Sequence, residues 1–410
     1  MKELHSGHLF WPVTLEQHNN YPAVSEGLKV QVAIIGGGMS GSICAYVLQK
    51  NGLSTAVFER DTVAGGSTSA NTGLLQFSND IMLCDLIDQI GEQAAVKFYS
   101  ACADAVKQIG KIAGELPLDP HFLPRSSLYY ASSEQDRPKL LKEYEALKRN
   151  GFDVSFWEAD MILKHFPFSR PGAIITNGDA EVNPFRFVHG LADAAASFGA
   201  RIYEHTDIVS HESTAGGKHH LTTASGHAIE ADHVIYAIGY EPEELRGQLI
   251  KPLLNRSFAA VTAVQDKEKL LHWHNKMFIW ETARPYLYMR TTVDDRIVIG
   301  GLDENTQHPV DGEQARGKRI DKLYDKLTAH FPMLDVPFEY EWSATFGESV
   351  DNLPFIGEDP ALPGVYYCLG YGGNGTIYSM MASHILLDLI NKKQNPLADI
   401  VGLGRPTLQS

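Results

Sequence analysis

The chain has 410 residues, with 35 Lys and Arg against 50 Asp and Glu, for a formal net charge of −15. That length favours two or three domains with a core that needs no disulfide or metal. The acidity excludes general nucleic-acid binding, and four cysteines without a CxxC pair exclude a disulfide scaffold and a clustered zinc site.

Residues 1–30 read as an extension without a strong period, in which Phe10, Trp11 and Tyr21 are candidates to pack on a neighbouring surface. The opening MKELHSGHLFWPVTLEQ lacks the apolar core of a secretory signal, and no run reaches the roughly 18 apolar residues of a membrane span. A cytoplasmic protein with no membrane partner is expected. Val32–Ile35, Ser40–Gln49 and Ser54–Phe58 then read as strand, helix and strand, a complete βαβ unit. A glycine- and serine-rich loop covers Gly65–Asn71, and Ile81–Ala113 is predicted as one helix stopped at Gly114. Leu128–Tyr130 is a strand, and Gln135–Asn150 an exposed, charged helix.

Gly172–Thr176 is a short strand. Asn183 and Pro184 open a helix to Phe198, with Asn at the cap and Pro at the first helical position. Arg201–Tyr203 and Ala231–Ala237 are strands, and Lys218-His219-His220 reads as a loop or hairpin turn. From 257 to 300 the pattern becomes extended: Ala259–Val264, Met277–Trp280, Tyr286–Thr291 and Arg296–Gly300, with Asp294-Asp295 as a hairpin turn. Gln314–His330 is a helix, Val365–Leu369 a strand running into a glycine loop, and Gly375–Ile390 a final helix. The fold class is α/β plus an antiparallel sheet: a Rossmann-like nucleotide-binding domain interleaved with a second, substrate-binding domain. The expected division is 1–30 as extension, 31–115, 170–250 and 340–410 as nucleotide-binding domain, and 116–169 and 251–339 as substrate domain.

The decisive string is VAIIGGGMSGSICAYVLQKNGLSTAVFER, in which Gly36, Gly38 and Gly41 form G-x-G-x-x-G between a strand and a helix. Gly36 permits the tight turn, Gly38 leaves room for a pyrophosphate, and Gly41 lets the helix approach the sheet. The helix N-terminus offers free N–H groups to phosphate. Glu59 ends the second strand, 18 residues past Gly41, where a carboxylate can accept from ribose hydroxyls and repel a 2′-phosphate. The unit by itself does not separate FAD from NAD.

Four stretches carry a family likeness. They are the unit through Glu59-Arg60; GGSTSANTGLLQ at 65–76; DAEVNPFRFVHGLADAAASFGARI at 179–202; and WSATFGESVDNLPFIG with the later GVYYCLGYGGNGTIYSMMASHILLDLI. On these the chain resembles the D-amino-acid oxidase-like FAD-dependent oxidoreductases, which include glycine and sarcosine oxidases and gamma-glutamylputrescine oxidase-like proteins. The resemblance implies FAD as cofactor. It implies binding residues at Gly36, Gly38, Met39, Ser40 and Gly41; at Glu59 and Arg60; at Gly66, Thr68, Ser69, Asn71, Gly73 and Leu74; at Gly239; and at Gly370, Gly372, Gly373, Asn374, Gly375 and Thr376. The loop Gly370-Tyr371-Gly372-Gly373-Asn374-Gly375 runs from a strand into a helix and gathers several N–H groups. The resemblance sets it beside the pyrimidine end of the flavin. Some sarcosine oxidase relatives tether FAD through a cysteine in the region of WSATFGES; residues 342–349 hold none, so noncovalent FAD is expected.

The family likeness favours an amine or amino acid as substrate. Oxidation would proceed by hydride transfer to flavin N5, giving an imine that water hydrolyses, with reoxidation by dioxygen or another acceptor. Strand alternation puts Tyr286, Tyr288 and Arg290 on one face and Leu287 and Met289 on the other. Arg290 beside Tyr288 suits a carboxylate, with Arg284 and Trp280 as further candidates, and Lys276 as a charge near the ring. Each has a plainer role as salt bridge or core residue. HSGH at 5–8 and HWH at 272–274 lack the support of a defined metal site, and no metal is expected. Two rivals stand beside the flavin oxidoreductase: an NAD-dependent dehydrogenase, and a flavin-containing binding or assembly protein with little turnover.

Overall fold

A computed structural model describes residues 4–214, 216–240, 253–306, 313–334, 337–370 and 372–408. Two sheets organise them. In spatial order the smaller runs Phe355–Glu358, Val365–Leu369, Ala228–Tyr236, Leu28–Ile35, Thr55–Phe58 and Arg201–Tyr203. All neighbours are parallel except the first pair. Buried on both faces, these strands read as apolar runs rather than alternations. The helix Met39–Lys50 packs between Pro184–Ser197 and Gly375–Ile390. Asn183 caps the former as expected, its side chain accepting from Arg186 N.

Ile208–Ser213 and His219–Thr223 extend the smaller sheet as an antiparallel meander. The predicted turn at Lys218–His220 is therefore shorter: His219 already enters a strand. His219, Leu221 and Thr223 alternate inward, which the polar spelling of that strand conceals.

The larger sheet runs His5–His8, Phe338–Glu348, Leu253–Thr262, Ile297–Glu304, Leu287–Thr291, Phe278–Glu281, Leu123–Tyr130, Ala173–Glu181 and Leu74–Leu75, with Val154–Trp157 also on Ala173–Glu181. One face packs Leu128, Ile279, Met289 and Ile299 against Ile320, Leu323 and Leu327 of the helix Glu313–His330. The other turns Tyr129, Trp280, Val298 and Trp342 into the core that also holds the helices Met39–Lys50 and Gly375–Ile390, with Tyr288 packed against it. Ala173–Glu181 and Phe338–Glu348 both lie in this larger sheet.

Two expectations change. The helix predicted over 81–113 is two helices, Leu83–Ile90 and Glu92–Glu115, separated by Gly91 at φ +84°, a value a right-handed helix cannot contain. Gly114 does not stop the second, which runs through it. The N-terminal extension is also structured: His5–His8 pairs with Glu341–Ala344, and Phe10 and Trp11 are buried. The first parallel strand starts at Leu28. Among the described residues no helix is long and apolar enough to cross a membrane.

Candidate cofactor and substrate site

The carboxyl ends of the parallel strands converge on one cavity of about 470 Å³. That is where an open α/β sheet binds ligands, because crossover loops and helix N-termini gather there. Gly36, Gly38, Met39 and Ser40 form one wall, Glu59 and Arg60 a second, and Gly66, Thr68 and Asn71 a third. Gly239, Gly370, Gly375 and Thr376 close the remaining sides. Sequence inspection missed Thr206, Asp207 and Ile208, as well as Tyr240, Ser379 and His5. The signal for 206–208 was the strand Arg201–Tyr203, whose parallel carboxyl end had to open at the same rim. His5 carried no signal; strand pairing brings it here, with Nε2 3.2 Å from Gly65 O.

Local bonds shape each wall. Glu59 accepts from Gly37 N at 2.7 Å and from Asp61 N at 2.8 Å, one carboxylate oxygen for each. Burial pushes its pKa above the usual carboxylate value, while those two N–H groups pull the other way. Thr68 Oγ1 accepts from Met39 N at 2.9 Å, so the second motif caps the helix that the first one opens. Ser40 Oγ lies 2.7 Å from Ser379 Oγ and ties that helix to Gly375–Ile390.

Seven expected residues lie outside the cavity lining. Gly41 serves packing: a Cβ there would sit 1.8 Å from Gly36 O. Ser69 Oγ donates to Ala64 O at 2.6 Å, Gly73 N donates to Asn71 Oδ1 at 2.7 Å, and Leu74 pairs with Glu181 in the larger sheet. In the glycine loop, Gly372 N donates to Gly347 O and Gly373 N to Asp80 Oδ2. Asn374 Nδ2 donates to Ser78 O and Asn79 Oδ1. The N–H groups expected to face a cofactor at 372 and 373 are thus spent on the chain itself. Tyr371 lies outside the described residues.

Past the cavity-lining Asn71 and Gly370, the Gly373 N–H reaches Asp80 and the Gly372 N–H reaches Gly347 of the larger sheet. Trp280 stands opposite Tyr288 across paired strands, and its ring stacks on Tyr129 at 3.6 Å. Thr72 and Ser257 lie beside the Tyr288 hydroxyl, and Ser257 lies beside Asp303 as well. Burial raises the hydroxyl pKa of Tyr288 to about 12 and the carboxyl pKa of Asp303 to about 6, the nearby Asp80 charge adding to both.

The other expected substrate residues move elsewhere. Arg290 is buried, and its three guanidinium nitrogens donate to Thr72 O (2.8 Å), Thr291 O (3.1 Å) and Val182 O (3.1 Å). Its guanidinium also stacks over Trp11 and lies 3.6 Å from Glu181. Where a substrate carboxylate was expected, Arg290 ties the loop at 72 to the sheet. Arg284 is exposed, over the Tyr286 ring at 4.8 Å. Lys276 bonds Asp295 at 2.7 Å. Its neighbours Trp273 and Met277 pack in the core beneath Glu313–His330, on the sheet face turned away from the cavity.

Comparison with known proteins agrees with this geometry. The family model described as FAD dependent oxidoreductase, DAO, matches residues 31–389. The chain belongs to the DAO family of FAD-dependent oxidoreductases. It is 29% identical to glycine oxidase of Bacillus licheniformis, over 88% of this chain and 93% of that one. It is 26% identical to a putative Rieske 2Fe-2S iron-sulfur protein of Bacillus subtilis, over 93% of this chain and 72% of that one. The crystal structure of glycine oxidase from Geobacillus kaustophilus superposes with a TM-score of 0.77 at 22% identity, covering 92% of this chain and 99% of that one.

The residues present fit the cofactor of a DAO protein. Gly38 forms a cradle in which a Cβ would meet only Thr68 Oγ1, at 3.2 Å, leaving the side away from the protein open for a pyrophosphate. Glu59 keeps a lone pair on each oxygen after its two backbone bonds, as an acceptor for ribose hydroxyls requires. No cysteine lines the cavity. Cys44 and Cys368 are buried 3.8 Å from each other, and Cys84 and Cys102 are buried elsewhere.

Proposed function

We infer that this DAO-family chain oxidises the C–N bond of an amine or amino acid, using FAD held noncovalently. The observation that carries the inference is the junction of the nucleotide cavity with an aromatic sheet face. Asn71 lines the cavity while its neighbour Thr72 lies beside Tyr288, and Trp280 stands opposite Tyr288 on that face. Glycine oxidase among its relatives supports a small amine or amino acid as substrate. The absence of cysteine from the cavity lining and from residues 342–349 supports an untethered cofactor.

FAD, when bound, supplies the two-electron acceptor: the substrate Cα–H leaves as hydride, the nitrogen proton passes to solvent, and water hydrolyses the imine. The chain's own work is binding and orientation. The Gly36–Ser40 turn and Glu59 would hold the ADP half of FAD. Thr68 and Asn71 line the same cavity and would contact its middle, and the buried aromatic face at Tyr288 and Trp280 would keep bulk water from the reacting end.

The test is direct. Purified protein should be yellow, and acid or heat should release free flavin into the supernatant. Anaerobic mixing with a panel of glycine, sarcosine, proline and small amines should bleach the absorbance near about 450 nm. Colourless protein that binds NAD would favour a dehydrogenase instead. Yellow protein that no amine bleaches would favour a flavoprotein without this chemistry, and flavin that stays in the precipitate would refute noncovalent binding.

A further inference from the structure

The family model begins at residue 31, yet the segment before it enters the cofactor cavity. Leu4 and His5 line that cavity beside Gly65 and Gly66. Strand pairing sets their place: His5–His8 lies along Phe338–Glu348, with His5 opposite Ala344, and Thr345 N donates to Leu4 O at 2.8 Å. A Cβ at Gly66 would sit 3.7 Å from Leu4 Cδ1. Two residues further on, Thr68 Oγ1 accepts from Met39 N in the glycine turn. Leu4 and His5 therefore close the side of the cavity next to the turn at Gly38, where the pyrophosphate fits.

His5 is committed on one ring nitrogen only. Nε2 lies 3.2 Å from Gly65 O, and because a carbonyl oxygen accepts, Nε2 carries the proton. Nδ1 has no partner among the described residues, and the side chain is half-buried in the cavity wall. The rest of the segment is fastened around the same rim. The Trp11 indole N–H donates to Asn71 O, on the loop that supplies Gly66, Thr68 and Asn71 to the lining. Thr14 accepts from Asn183 Nδ2 at 2.7 Å and, through its carbonyl, from Arg186 Nη1 at 3.1 Å. Tyr21 N donates to the buried Glu204 at 2.7 Å, and Val24 N donates to Thr206 Oγ1 at 3.1 Å. Thr206 lines the cavity itself. One continuous segment thus joins the larger sheet, the loop at 65–71 and the chain that follows the parallel strand Arg201–Tyr203.

Bonds that hold the loop at 65–71 in its cavity-shaping position spare the cofactor the cost of ordering it. By linkage, a bound cofactor stabilises the segment by the same factor by which the segment strengthens cofactor binding. Resting on the reading that FAD occupies this cavity, we propose that His5 is a cofactor-binding residue and that residues 4–24 form a clasp that retains FAD. Nδ1 of His5 meets a hydroxyl or phosphate oxygen near the middle of the cofactor, and release of the segment from the rim precedes release of FAD.

Two measurements test the proposal. FAD release from the holoprotein is followed by ultrafiltration for the wild type and His5→Ala. Backbone hydrogen exchange at residues 5–11 is compared with and without FAD, and with NAD. His5→Ala keeps the strand backbone and should leave the melting temperature of the apoprotein unchanged, while FAD leaves about tenfold faster. FAD should slow exchange across residues 5–11 by a similar factor. Wild-type release from His5→Ala would remove His5 from the cofactor site. Exchange that FAD leaves unchanged, in a chain that binds FAD, would overturn the clasp; both results leave FAD binding standing. If His5→Ala also melts lower as apoprotein, exchange in the unmutated chain decides. Slowing by NAD and not by FAD would support the clasp while refuting FAD as its ligand, and slowing by neither would overturn the clasp.

Discussion

Gly38 and Gly41 stand three residues apart in one turn, and the structure assigns their missing side chains to different purposes. A Cβ at 41 would lie 1.8 Å from Gly36 O and 2.9 Å from its carbonyl carbon, where 3.4–4 Å is ordinary contact. Both obstacles are backbone, so the helix Met39–Lys50 would have to move off the strand Leu28–Ile35. Overpacking of that kind costs about 1–3 kcal/mol, and rigid atoms place it at the upper end. A Cβ at 38 meets only Thr68 Oγ1 at 3.2 Å, and the backbone there is extended, at φ −81°. Gly38→Ala should therefore cost the apoprotein no more than about 1 kcal/mol, the scale of an N-cap change. It should nonetheless weaken FAD binding at least tenfold, about 1.4 kcal/mol, because the new methyl occupies the approach of the pyrophosphate. Thermal unfolding of both apoproteins, followed by titration with FAD, separates the two effects. Wild-type FAD affinity in Gly38→Ala would refute the placement of the pyrophosphate at this turn. A wild-type melting curve in Gly41→Ala would refute the packing argument.

Further outcomes follow from single contacts. Glu59→Ala orphans the N–H groups of Gly37 and Asp61 and removes the ribose acceptor. Flavin content after purification should fall severalfold, and an unchanged content would count against Glu59 at the ribose. Arg290→Met breaks three bonds to backbone carbonyls and leaves Glu181 with Arg125 as its remaining ion-pair partner. A loss of about 3–5 kcal/mol in denaturant unfolding is expected; a fully stable variant that had lost only affinity for carboxylates would restore Arg290 to substrate binding. His189 is buried against His18 and Phe185, with both ring nitrogens unpartnered, and burial lowers its pKa to about 4. The folded state resists protonation that the unfolded state accepts below about 6.5, so stability is full above that pH and falls between about 6.5 and 4, by up to about 3 kcal/mol. His189→Phe should flatten that acid limb of the unfolding curve, and an unaltered limb would assign it to other groups.

Legibility followed the range of the interactions. The unit from Leu28 to Glu59 could be read because each of its requirements is local: an apolar strand, three glycines at fixed spacing, a helix start and an acid at the next strand end. The break at Gly91 was hidden because the apolar pattern continues through it, while only backbone geometry reveals the positive φ. The partners of Arg290 were hidden for a related reason. Alternation correctly put it on the face with Tyr288, but which partner an inward arginine meets depends on Thr72 and Val182, 218 and 108 residues away. The glycine loop at 370–375 looked like a set of N–H groups for a ligand, yet Asp80 and Gly347 reach two of them first.

From the sequence alone came the nucleotide turn, its acid at Glu59 and the alternating faces of the larger sheet, since short-range sterics and side-chain periodicity dictate all three. Only the tertiary structure decided which arginine is spent within the fold, which strand ends share the cavity rim, and which N–H groups of the glycine loop the chain itself claims. Those outcomes depend on segments far apart in the chain brought within a few ångströms, and the competition among buried charges and donors for one another is resolved only once they are there.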